Sequence, residues 1–114
     1  MPRRYVPRRG DVVWLSFTPQ AGHEQAGRRP ALVLSPSAYN RKVGLALFCP
    51  ITSRVKGYPF EVTKGLPVAG VVLADQVKSL DWRAWRAEFV DRLPDAEVSG
   101  ILSLVMALLS EGNA

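Results

Sequence analysis

The sequence has little of what metal and thiol chemistry requires. One cysteine, Cys49, and one histidine, His23, stand among 114 residues. A lone cysteine cannot close an internal disulfide, and one Cys with one His falls far short of a tetrahedral zinc site. Cys49 ends the apolar run that starts at Leu45, which reads as a buried core thiol and not as a nucleophile. A serine triad would have to recruit the sole histidine. The longest apolar run, Leu104 to Leu109, is far too short to span a bilayer. No apolar stretch follows the basic N-terminus, so a signal peptide is not expected. Neither a Walker-type phosphate loop nor a dinucleotide glycine fingerprint occurs. These absences lead to the expectation of a cytoplasmic protein with no metal, no organic cofactor and no membrane partner.

Basic charge, by contrast, is abundant. The formal charge is +5, and eleven of the fifteen basic residues are arginine. Guanidinium binds phosphate in a planar, bidentate way that ammonium cannot. A nucleic acid or an acidic protein is therefore the expected partner, with plain solubility as the competing explanation. The length fits one domain spanning residues 1–114. Residues 1–9 carry Arg3, Arg4, Arg8 and Arg9 around two prolines and read as an extended basic arm.

Hydrophobic patterning predicts mostly strands. Val12 to Phe17 form the first, after the turn signal Gly10-Asp11, and Pro19 ends it. Ala31 to Leu34 form a second, opened by Arg29-Pro30. One short helical turn is expected over Ser37 to Lys42. Leu45 to Thr52 form a third strand interrupted by Pro50, a residue that belongs at an edge or a bulge. Further strands are expected at Phe60 to Val62, Val71 to Val77 and Trp82 to Val90. Residues 94–110 read as an amphipathic C-terminal helix. Pro94 sits at its start, Asp95 and Glu97 lie in the first turn, and Val98, Ile101, Leu102, Val105, Leu108 and Leu109 recur at helical spacing. The whole is mainly β, a small curved antiparallel sheet or open barrel with a short helix and a C-terminal α-helix.

Residues 18–28 make a long loop for so small a domain, and such loops are often functional. Gly22 to Pro30 is its densest polar cluster. Glu24 is a candidate general base. Arg29, pinned by Pro30 at the mouth of a strand, is a candidate phosphate binder. The alternative is a solvated loop with a surface ion pair of little energetic weight.

The pattern Gly22-x-Glu24-Gln25-x-Gly27-x-Arg29-Pro30 resembles the signature of the MazF/PemK family of toxin endoribonucleases. Pro50-Ile51-Thr52-Ser53, then Lys56-Gly57-Tyr58-Pro59-Phe60-Glu61-Val62, then Ala74-Asp75-Gln76-Val77-Lys78-Ser79 followed by Trp82-Arg83, are similar to further family blocks. Arg4-Tyr5-Val6-Pro7 and Gly10-Asp11 match as well. The resemblance implies a small SH3-like antiparallel β-barrel of the CcdB/MazF type that works as a homodimer. It also implies cleavage of single-stranded RNA at short specific sequences and neutralisation by a cognate acidic antitoxin. Operator DNA would be met only through the antitoxin complex.

By the same resemblance, Glu24, Arg29 and Thr52 are the catalytic residues. The RNA 2′-OH needs a base, which Glu24 would supply. Arg29 and Thr52 would stabilise charge on the phosphorane oxygens. The products would be a 2′,3′-cyclic phosphate and a 5′-OH, with no metal. Two candidates stand for the acid that protonates the leaving oxygen. Arg29 is implied by the resemblance but has a very high pKa, and His23 adjoins Glu24 in sequence. Arg28, Lys56, Gln76, Lys78 and Arg86 are candidate RNA-binding residues; lysines suit phosphates, Gln76 a base edge. Trp14 and Phe17 read as core. Trp82 and Trp85 fit either a stacked base or a protein contact. Two other functions compete: a non-catalytic CcdB-like toxin that binds DNA gyrase, and a nucleic-acid-binding regulator.

Overall fold

The computed structural model describes residues 4–17, 27–62 and 66–110. Within them the chain forms β1 (Asp11–Phe17), β2 (Gly27–Val33), α1 (Ser37–Val43), β3 (Leu45–Thr52), β4 (Glu61–Val62), β5 (Val71–Leu73), β6 (Lys78–Asp81), β7 (Glu88–Arg92) and α2 (Asp95–Ser110). All strand pairs are antiparallel, in the order β4-β5-β3-β2-β1-β7, with β6 added on β3. That path does not return on itself, so among the described residues the sheet is open where a barrel was expected.

β3 is the spine of the sheet. On one side it pairs with β2. On the other it changes partner midway, from β6 along Leu45 to Phe48 to β5 along Ile51 and Thr52. Pro50 sits in the gap between those two ladders. Leu47 O accepts the Leu34 N–H from the β2 side, so by strand alternation the polar groups of Pro50 face the gap. A missing N–H there costs no ladder bond, which is how proline is tolerated inside a strand that is not at an edge.

The sheet is buried on both faces, and this explains why β1 to β3 read as near-continuous apolar runs. One core gathers Val12, Leu32, Cys49, Ile51, Val72 and Leu93 against Val98 and Ile101 of α2. The other gathers Val13, Leu15, Ala31, Val33, Ala46, Phe48 and Trp82, with Tyr5, Val6 and Trp85 packed against it. Neighbours such as Val12 and Val13 thus serve opposite cores. α2 begins where expected, with Asp95 and Glu97 in its first turn; its far end leaves Leu109 80% exposed.

Two expected strands are redrawn. The run Val71 to Val77 breaks after Leu73, where Gln76 N–H returns to Leu73 O at 3.1 Å, and β6 starts at Lys78. Residues 82–86 form turns instead of strand. The Asp81 carboxylate accepts the N–H groups of Arg83 and Ala84, both at 3.0 Å, and its carbonyl accepts that of Trp85 at 3.0 Å. The N-terminal segment is partly built in. Pro7 is fully buried and its carbonyl accepts the side-chain N–H of buried Asn40 at 2.8 Å. Asn40 O in turn accepts Trp82 Nε1–H at 2.8 Å. Buried Asp11 receives hydrogen bonds from the Tyr5 hydroxyl and from Arg92 at 3.0 Å. These satisfied polar groups join the chain start, α1 and the 82–86 turn.

Candidate active site

β2 delivers the arginines. Its register with β1 pairs Ser16 with Arg28, Leu15 with Arg29 and Trp14 with Pro30. The strand therefore begins at Gly27, four residues before the expected start, because its first half is exposed and polar. Alternation sends Arg28 and Arg29 to opposite faces. Arg28 lies over the Trp14 ring, 4.7 Å from its centroid, and its Nη1 meets Glu88 Oε1 at 2.8 Å. Its charge is already matched by a carboxylate, so of the two arginines Arg29 is the better placed for an incoming phosphate.

Arg29 and Lys78 flank a groove of about 400 Å³. Leu15, Pro30, Ala31, Phe48, Pro50, Leu80 and Trp85 make its apolar lining. The cross-strand pairs that build it are Ala31 with Pro50 and Phe48 with Lys78. Trp82, which fitted two roles in the sequence, is 4% exposed and belongs to the core. Trp85 lines the groove beside Phe48. The arrangement, two cations beside an apolar trough, suits a strand of nucleic acid with phosphates at the edge and bases inward.

Two residues beyond Pro50 on the same face of β3, Thr52 opens a smaller concavity of about 150 Å³, shared with Arg54, Lys56, Tyr58, Glu61, Leu73 and Gln76. Carrying the β2–β3 register on from the Ala31–Pro50 pair sets Arg29 level with Thr52. The Thr52 hydroxyl oxygen accepts the Arg54 N–H at 3.1 Å. That bond uses a lone pair and leaves the hydroxyl proton free to donate. Tyr58 donates to Asp75 Oδ1 at 2.9 Å, and this bond holds its phenol above the ordinary pKa. Burial, aided by the negative charge of Asp75, pushes the Cys49 thiol up to about 12, as expected for a core residue.

The structure thus brings together Arg29 and Lys78 in one hollow, and Thr52, Lys56 and Gln76 in its neighbour. Arg86 lies on the exposed rim of the 82–86 turn with a φ of 54°. His23 and Glu24 lie outside the described residues. Sequence reasoning gave no role to Glu61, Glu88 or Gly70. Glu61 stood inside a quoted block, whereas Glu88 and Gly70 had no local signal. A Cβ on Gly70 would lie 2.4 Å from Thr52 O, a closeness that only long-range pairing creates. No group of three or more His, Cys, Asp and Glu side chains suited to a metal occurs among the described residues. No helix there is long and apolar enough to cross a membrane.

Known proteins show the same plan. The family model described as "PemK-like, MazF-like toxin of type II toxin-antitoxin system" matches residues 8–109. The endoribonuclease toxin MazF of Escherichia coli strain K12 is 58% identical over 85 residues, covering 74% of this chain and 77% of that protein. The Escherichia coli endoribonuclease PemK is 34% identical, covering 96% and 91%. The crystal structure of MazE-MazF (Form-II) from Deinococcus radiodurans superposes with a TM-score of 0.87 at 57% identity, covering 96% of this chain and all of that one. With a family match over most of its length, relatives at 34–58% identity and a shared fold, the chain belongs to the PemK-like, MazF-like toxins of type II toxin-antitoxin systems.

Proposed function

We propose that this protein is a sequence-specific endoribonuclease toxin that cuts single-stranded RNA by attack of the 2′-OH on the adjacent phosphate. The observation that carries the proposal is the groove between Arg29 and Lys78, with the hollow of Thr52 two residues beyond Pro50 on the same face of β3. Glu24 takes the 2′-OH proton. The oxygen attacks phosphorus, the bond to the 5′-oxygen breaks, and a 2′,3′-cyclic phosphate and a 5′-OH end result. Arg29 and the Thr52 hydroxyl donate to the phosphorane oxygens as charge builds there, where fixed donors act most strongly. Arg29 and His23 remain the two candidates for returning a proton to the leaving oxygen. Lys56 and Lys78 hold backbone phosphates, Gln76 reads a base edge and Arg86 stacks or pairs, while Arg28 contributes only when it leaves Glu88.

The same reading includes an acidic antitoxin on this basic surface, supported by the solved MazE-MazF complexes, and a homodimer. Exposed Leu108 and Leu109, with the apolar hollow between Tyr39, Leu102 and Val105, leave surface for such contacts. Operator DNA would be reached through the antitoxin.

The decisive experiment uses RNA carrying one deoxyribose at the scissile position. The normal substrate should be cut in EDTA and the substituted one should resist. Glu24→Ala and Arg29→Ala should each lower cleavage by at least about a hundredfold while the fold survives. Cutting of the deoxy-substituted RNA at the normal rate would overturn the mechanism. A protein that spares RNA and traps gyrase on DNA would overturn the function.

A further inference from the structure

The segment between β3 and β4 carries Lys56; Thr52 and Asp75 hold it at Arg54 and Tyr58, and at Lys56 itself one carboxylate holds the backbone. Glu61 Oε2 accepts the Lys56 N–H at 2.9 Å and Oε1 accepts the Gly57 N–H at 2.7 Å. Gly57 has a φ of +84°, a left-handed conformation that suits glycine. Successive N–H groups turned to one side form an anion-binding nest, and here the chain supplies the anion itself. Glu61 is paired with Leu73 on β5, so the grip ties Lys56 to the sheet beside Thr52.

We propose that Glu61 is a positioning residue that fixes the backbone at Lys56 so that its ammonium stands over the hollow shared with Thr52 and Gln76. This rests on the RNA-cutting reading of that hollow. Electrostatics alone predicts the opposite sign. A carboxylate near a phosphate repels it, so neutralising Glu61 would tighten RNA binding if repulsion were its only effect. Positioning predicts weaker binding, because a mobile Lys56 must be ordered each time RNA arrives.

The test compares Glu61→Ala with Glu61→Gln in the full chain, using a non-cleavable 2′-O-methyl RNA of the cleaved sequence for binding and ordinary RNA for kinetics. Glu61→Ala should weaken binding and raise KM by roughly five- to tenfold with kcat changed less than about twofold, since a lost phosphate contact is uniform binding. Glu61→Gln carries no charge either but keeps one acceptor oxygen, so it should fall between wild type and alanine. Adding Glu61→Ala to Lys56→Ala should weaken binding no further. Hydrogen exchange at the Lys56 and Gly57 amides should speed up in both Glu61 variants. If Glu61→Ala does not fold, Glu61→Gln and the amide exchange decide the matter. Tighter or unchanged binding, or additive losses with Lys56→Ala, would overturn the proposal while leaving RNA cleavage intact. A wild-type protein that binds RNA but does not cut it would remove the nuclease reading and leave Glu61 to the binding result. Failure to bind RNA at all would remove both.

Discussion

A glycine matters most where another residue's backbone already occupies the place of its missing side chain. Gly70 has a φ of +125°, and a Cβ there would lie 2.4 Å from Thr52 O and 2.9 Å from Thr52 C. The obstacle is main chain, so it cannot swing aside as a side-chain tip would. Gly70→Ala must displace the end of β3 that carries Thr52. We expect a stability loss of about 2 kcal/mol or more, from the clash together with the strained φ. If Thr52 acts as proposed, cleavage per folded molecule should fall at least tenfold, because small displacements of a catalytic group are costly. Thermal melting and single-turnover kinetics check the two parts separately. A variant as stable and as active as wild type would show that Thr52 tolerates the shift.

At the scale of elements, the side-by-side strands β2, β1 and β7 set the state of Arg28. Trp14 on β1 is paired with Glu88 on β7, and Arg28 from β2 reaches across both. The ion pair is exposed, so its worth to folding is within about 1 kcal/mol. In the proposed RNA complex Glu88 would compete with phosphate for the guanidinium. Glu88→Gln should leave the melting temperature nearly unchanged, tighten binding of non-cleavable RNA, and steepen the dependence of log affinity on log salt by up to about one unit. An unaltered salt slope would mean that Arg28 takes no part. The elements also show what the sequence revealed and what it hid. The first three strands were legible as short apolar runs bounded by turn residues, and α2 because its apolar residues repeat at helical spacing. β6 was not, since Lys78 to Asp81 is a mostly exposed, polar segment that gains its strand only by pairing with β3. The turn at 82–86 was misread because bulky and charged residues alternate there, as in a half-buried strand. Asp81 overrides that pattern by capping three following N–H groups. In the candidate site, motif resemblance singled out Arg29, Thr52, Lys56, Gln76 and Lys78. Their division between two adjoining hollows, and the pairing of Arg28 with Glu88, depend on register and could not be read from order along the chain.

For the molecule as a whole, the buried thiol ties stability to alkaline pH. Cys49 is 0% exposed, and its folded pKa stands near 12 against an ordinary value of 9.0. The thiol is protonated in both states below pH 9. Above it the unfolded chain releases the proton and the folded one keeps it, so stability falls as pH rises from about 9 towards 12. The slope from this residue alone approaches roughly 1 kcal/mol per pH unit. Chemical denaturation at a series of alkaline pH values should show that decline for wild type and a shallower one for Cys49→Ala. Equal slopes would assign the decline to other groups, Tyr5 foremost, whose half-buried phenol is also held well above its ordinary value by desolvation and by Asp11.

The position of Cys49 on β3 has a consequence in time as well. It lies beside Pro50, where β3 has left β6 and has not yet met β5. A thiol reagent attacks only the thiolate, and the closed protein at neutral pH offers almost none. Labelling therefore waits for the core around β3 to part. Because each molecule carries one cysteine, each records its first opening as a single mass increment. Where the reagent outpaces reclosing, the labelled fraction keeps a clock of how often the spine of the sheet comes undone, and the rate with RNA added against the rate without it tests whether the proposed complex holds that spine closed.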